Sequence, residues 1–335
     1  MTLLESLLWP LTLPYGAAAH LRARAYRTGL LRSKRLDGVV ISVGNLTVGG
    51  TGKTPMVLWI AERLIAEGKK TGILTRGYRG EASAEGSTSD EVRMLRARLG
   101  DRVSFGVGAD RWARGRELSA RGVEWFILDD GFQHLQLARD VDVVLIDATN
   151  PFGGGRLLPA GRLREPKSAL ARADVVVITR SDHAPAIEAV VRRESDAPIF
   201  YARPALDSIQ SVSGGQPADA AAREEKLFAF CAIGNPKAFL EDLRSWGFTI
   251  VGHAFFPDHH RFSARDLQTI EQKARRAGAS ALICTEKDAF NLGGVPPMGL
   301  FVCRVSLRVE REQEFWAALM TIAKKHSRTG AGVVR

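Results

Sequence analysis

Residues 39–55 read Val39-Val40-Ile41-Ser42-Val43-Gly44-Asn45-Leu46-Thr47-Val48-Gly49-Gly50-Thr51-Gly52-Lys53-Thr54-Pro55: an apolar run, a glycine-rich loop, then a lysine and a threonine. The run Val39–Val43 predicts a buried strand, and the stretch 53–67 predicts an amphipathic helix. Glycines between a strand and a helix let backbone N–H groups approach phosphate oxygens, and the helix N-terminus adds a favourable dipole. In such a loop Lys53 reaches the β- and γ-phosphates of a nucleoside triphosphate, and the Thr54 hydroxyl ligates Mg²⁺. Val48, Gly49, Gly50, Thr51 and Gly52 complete the expected cradle for ATP. Pro55 suits a first helical turn, where an N–H needs no partner. Thr47 stands where the long form of this motif has its first glycine, so the match is to the shorter G-G-x-G-K-T form.

The alternation of apolar run, turn and amphipathic stretch continues outward from that loop. Gly72–Thr75, Val103–Val107, Trp125–Leu128, Val141–Ile146 and Asp174–Thr179 read as strands, with helices at 90–99 and 110–121. This pattern predicts an α/β fold of P-loop NTPase type, a mostly parallel sheet flanked by helices. Loops 79–89 and 148–168 are long, as functional loops often are. Residues 204–225 lose the periodicity. A second, smaller α/β domain is expected beyond them, with strands Leu227–Ile233, Thr249–Phe255 and Ala281–Cys284 and helices at 236–246, 263–277 and 310–324. The expected division is a helical segment 1–36, a P-loop domain 37–210, a linker 211–225 and a C-terminal domain 226–335. Trp125–Leu128 ends in Asp129-Asp130, where a P-loop protein places its Mg²⁺-directed acid, although Asp-Asp-Gly is also a common turn. Thr179-Arg180-Ser181-Asp182 is only a weak likeness to a guanine-reading motif, because Arg180 replaces the lysine.

Composition narrows the class. The chain has 335 residues, 45% hydrophobic and 25% charged, which excludes a disordered or fibrous protein. Cys231, Cys284 and Cys303 form no CxxC pair, so neither a disulfide framework nor a cysteine zinc site is expected. The formal charge of +10 points to an anionic partner. Much of it lies in Arg22, Arg24, Arg27, Arg32, Lys34 and Arg35, just after an uncharged stretch with leucines at helical spacing. Pro10 and Pro14 interrupt that stretch, which is too short to span a bilayer. An apolar helix followed by arginines can lie on an anionic membrane; it can equally pack on the domain with its arginines solvated. The basic residues are not interleaved with aromatics, so no nucleic acid is expected.

Several strings in order along the chain resemble the tetraacyldisaccharide 4′-kinases of lipid A biosynthesis: Gly44–Pro55, Arg76-Gly77-Tyr78 and Asp129-Asp130-Gly131-Phe132-Gln133-His134. So do residues 158–166, Gly234-Asn235-Pro236, Asp258-His259-His260-Arg261-Phe262 and Thr285-Glu286-Lys287-Asp288. The resemblance implies transfer of the ATP γ-phosphate to the 4′-hydroxyl of a tetraacylated glucosamine disaccharide 1-phosphate, forming lipid IVA. It also implies a peripheral place on the cytoplasmic face of the bacterial inner membrane and a lipid substrate, with no obligate protein partner. Asp90 of the Asp90-Glu91 pair and His259 resemble the family's proton-handling residues, and Arg111 and Tyr78 its nucleotide contacts. Glu165 resembles a further Mg²⁺ ligand beside Asp129 and Asp130, and Arg162 and Arg164 are candidates for the substrate's phosphate. His134 is a lesser candidate. Simple structural roles stay open for these residues: an N-cap for Asp90, solvated loop charges for Arg111 and the 162–165 group. A nucleotide-switch ATPase or GTPase is the alternative function; Val48, where partition ATPases carry a signature lysine, argues against it.

Overall fold

The computed structural model describes residues 3–77, 89–212, 218–294 and 298–330. In chain order the elements are α1 (Leu3–Arg27), β1 (Val39–Asn45), α2 (Lys53–Ala66), β2 (Thr71–Thr75) and α3 (Asp90–Leu99). Next come β3 (Ser104–Val107), α4 (Arg111–Ser119), β4 (Trp125–Asp129), β5 (Val141–Asp147), β6 (Val175–Thr179), α5 (Pro185–Glu194) and β7 (Ile199–Ser211). The remainder are α6 (Asp219–Glu224), β8 (Lys226–Cys231), α7 (Pro236–Ser245), β9 (Thr249–Phe255), α8 (Ala264–Arg276), β10 (Ala281–Thr285), α9 (Glu286–Ala289), β11 (Leu300–Val309) and α10 (Glu312–Gly330).

The chain forms two compact units. The first comprises residues 1–77, 99–203 and 307–335, the second 78–98 and 204–306. In the first, the strands run β3-β2-β4-β1-β5-β6-β7, and the registered pairs are parallel. Strands β4, β5 and β6 are buried throughout, as expected of a parallel sheet covered on both faces. β1 lies between β4 and β5, so the loop after β1 and the acids ending β4 emerge at the same carboxyl edge, where α/β sheets bind ligands. In the second unit β11-β10-β8-β9 form a smaller parallel set, with Phe228, Phe230, Phe262, Leu282 and Cys284 in one cluster and Phe239, Leu243, Ile283 and Phe301 in another.

These units cross the boundaries expected from sequence. The final helix belongs to the first unit, because Phe315 of α10 meets Trp59 of α2 and Phe200 of β7, each at a ring separation of 5.2 Å. Helix α3 belongs to the second. Its Arg98 binds Glu286 at 2.8 Å and Asp207 at 2.6 Å. The irregular stretch after residue 204 contains regular structure: β7 continues to Ser211, and α6 follows from Asp219. Alternating exposure on β7 hid it, since its outer half carries Asp207, Ser208 and Gln210 among apolar residues. At the N-terminus, α1 runs unbroken through Pro10 and Pro14. No helix among the described residues is long and apolar enough to cross a membrane.

Candidate active site

The glycine loop is fixed from both sides. Val48 N–H donates to the Arg162 carbonyl at 2.8 Å and Arg164 N–H to Leu46 at 2.7 Å, so residues 162–164 run alongside 46–48. The Arg162 guanidinium returns to the Val48 carbonyl at 3.0 Å. The Thr179 hydroxyl donates to Thr51 O at 3.2 Å, anchoring the loop to the end of β6. Gly49 (φ +117°) and Gly52 (φ +86°) adopt left-handed backbone that favours glycine. Gly52 caps α2 with no side chain over its first turn, leaving the N–H groups of that turn open to an anion.

Charge gathers at the same edge. Lys53 Nζ lies 3.4 Å from Asn45 Oδ1 and 3.6 Å from Asp130 Oδ1, while Arg164 Nη1 donates to both Asp130 oxygens at 2.8 and 2.7 Å. Burial pushes the Asp130 carboxyl up, but Lys53 and Arg164 outweigh it and hold the group below its ordinary range. Asp130 itself sits at φ +51°, a strained conformation of the kind found at functional sites. Asp129, paired in register with Val43, is buried and accepts from Thr75 Oγ1 at 3.3 Å. Arg111 opens α4, whose N-cap Asp110 accepts from Ala113 N–H. Its guanidinium is buried and bonds to Ala109 O and His134 Nδ1. Burial and then Arg111 and Arg139 push His134 down to about 4, so it stands neutral as the acceptor.

Four buried polar atoms at this edge, Ser42 Oγ, Asn45 Nδ2, Thr51 Oγ1 and Arg111 Nε, find no hydrogen-bond partner among the described residues. Unpartnered buried donors of this kind mark a place built for a polar ligand. The set also suits Mg²⁺, a hard cation that takes few protein oxygens and leaves its other positions to water and phosphate. Thr54, Asp129 and Asp130 place oxygens at this edge that would hold it, Asp130 also binding Arg164 and Asp129 accepting from Thr75. Glu165 has one carboxylate oxygen bound by Arg172 at 2.5 Å, and the residue lines a cavity of about 380 Å³ with His20, Arg24, Arg27 and Arg139. Arg162 is committed to Val48 and Arg164 to Asp130, so both shape the loop through direct bonds. Tyr78 lies outside the described residues.

In the second unit, residues far apart in sequence form another cluster. Asp90 begins α3, is buried, and faces His259 Nδ1 at 3.2 and 3.1 Å through its two oxygens. Asn291 Nδ2 donates to Asp90 Oδ2 at 3.2 Å, and Lys287 Nζ stands 3.7 Å from the same oxygen. Burial alone pushes the Asp90 carboxyl up, but His259, Lys287 and Asn291 bring it down to about 2. The hydrogen bond that His259 donates to Asp90 raises His259, while burial and Lys287 oppose the rise. An ionised carboxylate only accepts, so His259 directs an Nδ1–H at Asp90, and in the neutral ring Nε2 is then the lone-pair nitrogen. The His259 side chain is 42% exposed and Asp90 7%, which puts the imidazole outward and the carboxylate behind it. His259 is held at φ +64° by its N–H bond to Ala232 O. Ala232 N–H in turn donates to Asp288 at 2.8 Å.

Lys287 and Asn291 went unassigned from sequence. The signal for Lys287 was present: Thr285 and Asp288 have the spacing of a capping box, and that box starts α9 and aims the next side chain. Nothing local marked Asn291.

A model of the family described as tetraacyldisaccharide-1-P 4′-kinase matches residues 4–324. The chain belongs to this family. It is 42% identical to the tetraacyldisaccharide 4′-kinase of Geobacter metallireducens over 88% of this chain and 90% of that one. To the enzyme of the same name from Geobacter sulfurreducens it is 40% identical, over 83% and 81%. Among solved structures, LpxK from Aquifex aeolicus in complex with ATP superposes with a TM-score of 0.72 at 29% identity, covering 96% of this chain and 99% of that one. The expected kinase family and α/β fold are therefore confirmed, and the nucleotide-switch alternative is not favoured.

Proposed function

We propose that the chain transfers the γ-phosphate of ATP to the 4′-hydroxyl of a tetraacylated glucosamine disaccharide 1-phosphate, forming lipid IVA. The observation that carries this reading is the family match over residues 4–324 on a chain whose Lys53, Asp129, Asp130 and Arg164 occupy one sheet edge beside a complete glycine loop. The loop N–H groups and Lys53 hold the phosphates, and Arg111 adds a buried cation next to them. When bound, Mg²⁺ held by Thr54 and the Asp129 and Asp130 carboxylates neutralises charge on the triphosphate. The acceptor oxygen forms its bond to the γ-phosphorus as the bond to the bridging oxygen of ADP breaks. The hydroxyl proton passes to His259 Nε2, and Asp90 stabilises the imidazolium that forms. The test is transfer from γ-labelled ATP to the purified lipid 1-phosphate, with label appearing on lipid; label released only as inorganic phosphate would refute the assignment.

The same reading places α1 on a membrane surface. Its Trp9, Leu11, Leu13 and Leu21 are exposed, and Arg24, Arg27 and Arg32 follow on the exposed side. Lys34 stacks on Trp112 and Arg35 pairs with Asp140, so these two basic residues serve the fold instead. Three arginines at about 1 kcal/mol each near an anionic surface, with the apolar face buried, give reversible attachment. Replacing Leu11, Leu13 and Leu21 with serine should release the protein from anionic liposomes in a sedimentation assay. Unchanged sedimentation would return α1 to a packing role.

A further inference from the structure

We propose that Lys287 is a positioning residue for the Asp90–His259 pair: its ammonium, tied to Asp258 and carried on α9, fixes the Asp90 carboxylate against Nδ1 and keeps Nε2 the proton-accepting nitrogen. The inference rests on the proton-acceptor role proposed for His259. Three observations support it. First, Lys287 Nζ bonds to Asp258 Oδ1 at 3.0 Å and stands 3.7 Å from Asp90 Oδ2, so it bridges the residue before His259 and the residue behind it. Its side chain is 17% exposed, which makes these contacts more than a solvated surface pair. Second, the helix that carries it is doubly fixed. The Thr285–Asp288 capping box starts α9, and Glu286 binds Arg98 at 2.8 Å and Arg304 at 3.0 Å. Arg98 lies on α3, the helix that begins with Asp90, so carboxylate and ammonium are set by the same two short elements. Third, Asn291 fills the remaining side of Asp90, and Arg93 holds its amide through Oδ1 at 2.9 Å.

The charges around His259 decide what the lysine does. Asp90 comes from α3, Asp258 from its own loop at 3.8 Å from Nε2, and Lys287 from α9; Glu91 acts on Lys287, and His260 is occupied by Asp266. Two carboxylates beside an imidazole with no cation would favour the imidazolium, which cannot accept a proton. Lys287 opposes them and so favours the neutral ring over the imidazolium. Removing the ammonium therefore raises the pH at which His259 loses its proton.

The test compares the full chain with Lys287→Met and Lys287→Arg in steady-state transfer to lipid across pH 5.5–9.5, a range of about four units around the imidazole value. In parallel, the His259 ring proton is titrated by NMR, identified by its loss in His259→Gln. Lys287→Met should move the acidic limb of kcat and the NMR midpoint upward together by about one pH unit. That lowers kcat about tenfold near the limb, with recovery at high pH, an unchanged KM for ATP and restoration by Lys287→Arg. A uniform loss of kcat at every pH with an unmoved midpoint would make Lys287 merely structural, and a raised KM for ATP would make it a phosphate contact. Either result overturns the proposal. If His259→Gln keeps wild-type kcat, it is the proton-acceptor reading that has failed.

Discussion

Two carboxylates, Asp130 and Asp90, organise the two polar clusters, and their surroundings differ in a way that assigns their work. Asp130 and Asp129 face three cations, Lys53, Arg164 and Arg111, so that edge keeps a positive excess suited to a polyanion. Asp90 and Asp258 face one full cation, Lys287, and the His259 imidazole, so that cluster has more carboxylates than fixed cations, a balance suited to receiving a proton. Both clusters place a key non-glycine side chain at positive φ, Asp130 at +51° and His259 at +64°; His259 N–H bonds to Ala232 O, and the residue after Asp130, Gly131, donates its N–H to Val43 O. Similar parts, differently balanced in charge, suit the proposed phosphate site in one case and the proposed base in the other.

The largest effects are expected where the positive excess is removed. Lys53→Ala should lower transfer by about 10³–10⁵, the range for a lost transition-state cation, with the fold intact by circular dichroism. A folded variant with near-normal kcat would break the contrast, because the polyanion site would then lie elsewhere. Next come Asp90→Ala and His259→Ala, each costing about 10²–10⁴ in kcat with ATP affinity preserved. The double variant should be scarcely worse than the poorer single one, since the pair works as a unit. Additive losses in the same kinetic series would split the pair into independent roles.

A smaller effect concerns stability. The Asp90 carboxyl falls from 3.8 to about 2 on folding, worth about 2 kcal/mol. A depressed carboxyl stabilises the fold above its unfolded value and loses that contribution as pH falls through the folded one. The stability gap between the wild type and Asp90→Asn in urea titrations should therefore be full at pH 6 and close between about pH 4 and pH 2. A gap independent of pH would mean that the charge of Asp90 is not what its partners hold. Smallest is the effect of Arg162→Gln, which removes only the guanidinium bond to Val48 and should cost about 1 kcal/mol of loop order, read as a modest rise in KM for ATP.

The two clusters were also unequally legible. The phosphate site was written in adjacent residues: Gly49 to Thr54 between a strand and a helix leave few alternatives, and Asp129-Asp130 ends the third apolar run after that strand. The second cluster joins residues 90, 259, 287 and 291, separations over which no local periodicity operates. Asp90 and His259 entered only through family resemblance. Lys287 and Asn291 are set by tertiary packing. The domain boundary was misplaced for the same reason: Trp59, Phe200 and Phe315 bring the last helix back to the first unit, a contact that composition along the chain does not announce. Glu165, expected at the metal, has one carboxylate oxygen bound by Arg172, seven residues on, a pairing that the loop sequence does not announce.

Calorimetric ATP binding and single-turnover transfer, measured side by side on Lys53→Ala and His259→Ala, test the division of labour most directly. Lys53→Ala should bind ATP weakly and transfer little even at saturating nucleotide, whereas His259→Ala should bind ATP like the wild type and still fail to phosphorylate the lipid. Lost ATP binding in His259→Ala, or full single-turnover transfer by it, would contradict the assignment of phosphate binding to one cluster and proton acceptance to the other.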